Sequence, residues 1–255
     1  PAPAAPPLAP LRFHTPRFTP AGLAYDAVSR RFVVGDRHGR KLAVVDEFSR
    51  QVANLAGARS SGFGEIAALE IDPRRGDLWV VSADESATSL HKLQLISGRL
   101  LATYPAGPGL APASFGDVAV GEGGVIFVLD TAGRRLLRLT PGAASLDVVA
   151  ALPDTAPVSL APAGGGTVYV AAGTGLLRVD TLTGASSEVK GAGGVELGRL
   201  ARIRWFRGAL AGIQHTGEGS SRAVRIALDR RGRTAVALDV LDPDVPIGIP
   251  TASTV

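Results

Sequence analysis

Apolar, alternating segments of five to seven residues return along the chain as pairs of hairpins closed by Gly-containing turns, which predicts an all-β fold, a β-propeller of four-stranded blades. Three observations carry this. The chain has 32 Gly and 18 Pro in 255 residues, a density of breakers that long helices do not survive. Its 45% hydrophobic and 20% charged content supplies the apolar mass of a folded chain and excludes disorder. The equivalent aromatic residues Trp79, Phe127 and Tyr169 are spaced by 48 and then 42 residues, and a four-stranded blade takes roughly 40 to 50. A β-sandwich is the runner-up, but its strands are not expected to repeat as pairs of hairpins.

Five inner hairpins can be read in order. The first is Ala21-Gly22-Leu23-Ala24-Tyr25-Asp26 with Phe32-Val33-Val34-Gly35-Asp36. The second is Glu65-Ile66-Ala67-Ala68-Leu69-Glu70-Ile71, a turn through Pro73-Arg74-Arg75-Gly76, and Leu78-Trp79-Val80-Val81-Ser82. The third pairs Asp117-Val118-Ala119-Val120 with Val125-Ile126-Phe127-Val128-Leu129-Asp130. The fourth runs from Val158-Ser159-Leu160 through a Gly164-Gly165-Gly166 turn to Thr167-Val168-Tyr169-Val170. The fifth, degenerate, joins Ala201-Arg202-Ile203-Arg204-Trp205 to Ala209-Leu210-Ala211-Gly212-Ile213. Each is followed by a more amphipathic hairpin, as strands farther from a shared axis should be: residues 41–46 with 51–55, 89–96 with 99–104, 135–140 with 146–152, 175–180 with 186–190, and 222–228 with 234–240. Residues 246–252 read as the innermost strand of one more blade, with residues 11–14 as an outer strand closing on it. The expectation is a six-bladed type with five complete blades and a partial sixth, from a native chain that continues past Val255. Residues 1–17 are expected as a Pro/Ala-rich tether and closing strand, and residues 18–255 as one propeller domain.

The net charge of +4 comes from arginine, the lysines being only Lys41, Lys92 and Lys190. Arginine pairs at 30/31, 74/75, 134/135 and 230/231 fall in or beside turns, where solvated charge blunts strand ends; scattered in this way they do not predict nucleic-acid binding. No apolar run reaches the roughly 18 residues of a membrane span. Absence of Cys excludes disulfides, thiolate nucleophiles and Cys-ligated metals, while His and carboxylate sites stay open. The start, Pro-Ala-rich without a basic segment, is not an intact signal peptide; read as what remains after export, it places the protein in a secreted or periplasmic setting.

Phe115-Gly116-Asp117-Val118-Ala119-Val120, followed by Gly124-Val125-Ile126-Phe127-Val128-Leu129-Asp130 and Arg134-Arg135-Leu136, resembles an NHL-type propeller repeat. Gly248-Ile249-Pro250-Thr251 is similar to the opening of the last blade in the six-bladed SMP-30/gluconolactonase-like proteins. That second resemblance implies a divalent cation (Ca²⁺, Zn²⁺ or Mg²⁺) in the central channel, held by Glu, Asp and two Asn, which polarises a lactone carbonyl and activates water. Glu65 and Asp117 are the counterpart metal ligands it implies. Its two Asn have no counterparts, because the single Asn, Asn54, falls on an outer strand.

The four histidines, His14, His38, His91 and His215, are isolated in sequence. His38 and His91 read as surface-hairpin residues. His215 ends the second strand of its repeat beside Gly217, Glu218 and Gly219, a loop suited to a ligand rim. Asp36, Asp84 and Asp130 lie at or near the ends of second strands, either aimed at one mouth of the channel or tying down backbone N–H groups in turns. Gly-x-Ser-x-Gly, Gly-x-Gly-x-x-Gly and the Walker lysine loop are absent. The function expected is therefore binding of a small molecule or a protein loop on one face, at Glu65, Asp117 and His215, without a complete catalytic set. The competing classes are a metal-dependent lactone hydrolase and a purely structural interaction domain.

Overall fold

Alternation along the second strand of each repeat decides the architecture. In Asp77–Ala83, Leu78 and Val80 pack against the preceding repeat while Trp79 and Val81 pack against the following one. A strand buried on both faces reads as an unbroken apolar run, and only sheets stacked side by side bury it so. The computed structural model describes residues 17–243 apart from residues 86, 154 and 218. Within them stand five blades, each of four antiparallel strands in chain order, the fifth with one short parallel strand added at its outer edge.

Blade 1 holds β1 (Pro20–Asp26), β2 (Arg31–Asp36), β3 (Lys41–Asp46) and β4 (Val52–Gly57). Blade 2 holds β5 (Glu65–Asp72), β6 (Asp77–Ala83), β7 (Thr88–Gln94) and β8 (Leu100–Pro105). Blade 3 holds β9 (Phe115–Val120), β10 (Ile126–Asp130), β11 (Arg135–Leu139) and β12 (Asp147–Ala151). Blade 4 holds β13 (Pro157–Gly164), β14 (Thr167–Ala172), β15 (Gly175–Asp180) and β16 (Ser186–Glu188). Blade 5 holds β18 (Leu200–Phe206), β19 (Ala209–Gly217), β20 (Ser220–Leu228) and β21 (Thr234–Asp242), with β17 (Lys190–Gly191) added parallel to β21. Residue 190 thus leaves the blade predicted for it. Val189, 2% exposed, is seated between blades 4 and 5, and past it the Lys190 N–H donates to Arg233 of blade 5.

The apolar core is divided into four clusters, one between each pair of successive blades. The innermost strands β1, β5, β9, β13 and β18 pack in that order around the axis. Among the described residues β18 and β1 do not pack on each other in this way. A sixth blade would stand between them; residues 11–14 and 246–252, expected to build it, lie outside the described residues.

Every inner strand carries a register shift near its start, between Pro20 and Leu23, Ile66 and Ala68, Phe115 and Asp117, Pro157 and Ser159, and Ala201 and Arg204. A bulge bends the strand and re-aims the side chain that follows it. It also frees a backbone N–H, and the preceding blade supplies an acceptor: Asp117 Oδ2 takes the Leu160 N–H at 3.0 Å, and Ser159 Oγ takes the Ile203 N–H at 3.1 Å.

The first and third connections of each blade emerge on one side, which we term the lower face, and the others on the upper face. Asp36 and Asp130 are buried turn acceptors rather than channel groups. Asp36 Oδ1 accepts from Thr19 and Gly39, and Asp130 Oδ1 from Ser114 and Gly133, so each ties a second connection to the strand arriving from outside its blade. Asp84 likewise accepts the Ala87 N–H. His91 corrects the expectation of a surface residue: it is 2% exposed, between Ser82 Oγ at 2.9 Å and Thr103 Oγ1 at 3.3 Å, with the Phe63 ring edge-on at 5.1 Å. The loop carrying Phe63 covers the third strand of blade 2, which an alternation pattern does not foresee. His38 is exposed, as expected. No helix among the described residues is long and apolar enough to cross a membrane.

Candidate functional site

Charge on an inner strand has no water to turn to and must find a partner across the axis. Arg204, just past the bulge of β18, reaches from blade 5 to blade 3, where its two terminal nitrogens meet Asp117 Oδ2 and Oδ1 at 3.2 and 3.3 Å. Its Nε lies 3.2 Å from Glu70 Oε2 on blade 2. It also donates to the Ile203 carbonyl at 2.9 Å and the Leu160 carbonyl of blade 4 at 3.5 Å. One guanidinium therefore stitches four blades. Asp117 is wholly buried and further accepts from its neighbour Val118 at 3.0 Å.

The fields in this cluster follow from its geometry. Burial works against the Arg204 charge, but Asp117 and Glu70 outweigh it and hold its pKa above the ordinary value. Glu70 stands at the edge of the cluster. Burial pushes its carboxyl up to about 7, Arg204 pulls it down, and Asp117 adds to the rise. Nearby Arg202 is pressed below the usual arginine value by burial, against the pull of Asp117.

Glu70 also lines a cleft of about 620 Å³ that opens on the lower face. Its walls are residues 70–75 of blade 2, 120–124 of blade 3, 162–164 of blade 4, and Trp205 of blade 5. The walls are tied to one another by single long side chains. Arg75 crosses from Asp72 (3.1 Å) to the Gly123 carbonyl (2.7 Å), and Glu122 Oε2 accepts the Gly165 N–H at 3.1 Å. Trp205 is stacked on Tyr169 with ring centres 5.8 Å apart and planes 15° apart, and Tyr169 donates to the Gly232 carbonyl at 2.9 Å. Arg74 is exposed, and among the described residues its guanidinium has no ion-pair partner. The lining offers an aromatic face, a cation and a carboxyl poised near neutrality, but no hydroxyl, imidazole or amine. It carries no covalent nucleophile other than a carboxylate.

The three residues singled out from sequence stand in three different surroundings. Glu65, the first residue of β5, is exposed on the upper face and lies 2.9 Å from Nδ1 of His38. His215 on β19 shares a hydrogen bond of 2.8 Å with Ser221 Oγ of the adjoining strand. Of the three, Asp117 alone belongs to the channel cluster, with Glu70 and Arg204, which the sequence reading passed over. The signal available was the presence of Glu70 and Arg204 within otherwise apolar inner strands.

The residues do not fit the divalent cation that the family resemblance implies. Both oxygens of Asp117 are engaged by Arg204 and backbone N–H groups, and Glu65 is turned to His38. Among the described residues no group of three or more His, Asp or Glu is gathered to hold a metal.

No family model matches this chain, and no curated protein matches it. Solved structures do. A streptogramin B lyase is 18% identical, with 91% of this chain and 71% of that one covered at a TM-score of 0.65. A catalytically inactive virginiamycin B lyase from Staphylococcus aureus with quinupristin is 15% identical, with 94% and 74% covered at 0.63. The PQQ-bound aldose sugar dehydrogenase from Streptomyces coelicolor is 15% identical, with 87% and 80% covered at 0.57. At these identities the likeness is one of fold, and with the five stacked blades it makes the chain a β-propeller.

Proposed function

We propose that this propeller is a ligand-binding module without a complete catalytic set, and that its small-molecule site is the lower-face cleft. The carrying observation is that residues of four blades line it, among them Glu70, which Arg204 holds at 3.2 Å, together with Trp205 and the exposed Arg74. A ligand with a ring to lie on the indole and an acid group to meet the guanidinium suits that pair. The solved propellers that hold quinupristin and PQQ support a small-molecule reading by analogy of fold alone.

Trp79 and Trp205 are the only tryptophans, so Trp79→Phe leaves Trp205 as the sole reporter in the cleft. Titrating that variant with aldonic and uronic acids and their neutral sugars should give saturable fluorescence changes for the acids. Arg74→Ala should weaken them about tenfold or more, as loss of a charge-assisted contact does. If no acid moves either the fluorescence or the melting temperature, the cleft is not the site. Lactone turnover with and without chelator, run in parallel, checks the hydrolase alternative.

A further inference from the structure

The most exposed large apolar side chains of the described residues are Val28, Ile96, Leu182 and Phe48, at 88, 85, 87 and 68%. All four sit at the tips of lower-face turns, on blades 1, 2 and 4, and Phe206 joins them from blade 5. No upper-face connection exposes a large apolar side chain among the described residues. All of these turns but that of Leu182 carry exposed arginines beside the tips: Arg30 and Arg31 after Val28, Arg50 after Phe48, Arg99 after Ile96, Arg207 after Phe206; the last lower-face turn of blade 5 adds the exposed Arg231.

Most acids of this face are held within their own turns, while Glu122 and Asp147 are exposed. Asp26, Asp46, Asp72, Asp180 and Asp229 each accept backbone N–H groups of their own turns. Glu47 is taken by Arg30 at 2.9 Å. What faces outward is a rim of separate apolar points and guanidinium groups, in which the exposed arginines outnumber the exposed carboxylates of Glu122 and Asp147.

From this we infer that the lower face docks on a bilayer surface bearing anionic phospholipid headgroups. Third connections lie two to three strand spacings beyond the inner strand, roughly 10–15 Å, so tips on blades 1 and 4 stand apart with polar backbone between them. A protein partner needs a contiguous packed core in its interface. A fluid interface accepts separate insertions, each apolar tip entering while the neighbouring guanidinium binds phosphate. The cleft opens on the same face, but the docking rests on the turn tips and not on the ligand reading.

The test is co-sedimentation of the full chain with phosphatidylcholine vesicles and with vesicles in which part of that lipid is replaced by phosphatidylglycerol. Binding to the anionic vesicles alone, falling as salt is raised, is expected. The fourfold variant Val28→Ser, Phe48→Ser, Ile96→Ser, Leu182→Ser should lose at least tenfold in partitioning with its melting temperature unchanged. Replacing Arg50, Arg99 or Arg231 by Gln should cost about fivefold apiece. Absence of vesicle binding at low salt overturns the proposal, as does binding that the fourfold variant retains. Retention on heparin without vesicle binding also overturns it, since the face would then be a general anion surface. Cleft-ligand titrations are unaffected by the tip variants, so the two readings fail separately.

Discussion

Replacing Arg204 by Met keeps the length of the side chain and removes its charge. Asp117, wholly buried, would keep the Val118 and Leu160 N–H groups but lose both guanidinium contacts. Removing one partner of a buried pair leaves an uncompensated charge and costs about 3–5 kcal/mol. For a chain of this size each kcal/mol moves the melting temperature by about 2–4 °C, so a loss of roughly 6–20 °C is expected. Adding Asp117→Asn removes the stranded charge while keeping an oxygen for a backbone N–H, and the double variant should recover more than half of the loss. Urea unfolding followed by tryptophan fluorescence, with calorimetry alongside, measures both quantities. An Arg204→Met protein within about 1 kcal/mol of the parent would refute the stitching role. So would a double variant no more stable than the single one.

Two groups, the half-buried Glu70 and the buried His91, give opposite pH slopes. Glu70, near 7 when folded against an ordinary 4.5, loses stability as pH rises from about 4.5 to 7; His91, pressed by burial to about 4 from 6.5, loses it as pH falls from about 6.5 to 4. Each is worth on the order of 3 kcal/mol, so Glu70→Gln should expose a melting temperature that drops on acidification and His91→Gln one that drops as pH rises; unchanged profiles in both variants would refute the assignment. Gly22 has φ +82°, and an added Cβ would stand 2.9 Å from the Leu69 nitrogen of the next blade. Gly22→Ala should therefore cost roughly 1–3 kcal/mol, whereas Gly57→Ala, at φ −143° with open space around it, should stay within about 0.5 kcal/mol in the same thermal unfolding assay.

The fold was legible because a blade writes its burial into its strands. Leu78-Trp79-Val80-Val81 is apolar throughout since both its faces meet a neighbour, while β8 alternates between half-buried and exposed since one of its faces meets water. The bulges were not legible, because Ala67, Gly116, Val158 and Arg202 share no residue type; what they share is a position near the start of an inner strand. That is also why Asp117 was found without its partners. Its neighbours Gly116 and Val118 mark a repeat, but nothing local to Glu70 or Arg204 shows that they meet, since they lie 134 residues apart in sequence. The step open to a reader of sequence alone is physical rather than statistical. An inner propeller strand is shielded from water, a lone charge there is costly, and so Glu70, Asp117 and Arg204 on three inner strands must converge on the axis those strands surround.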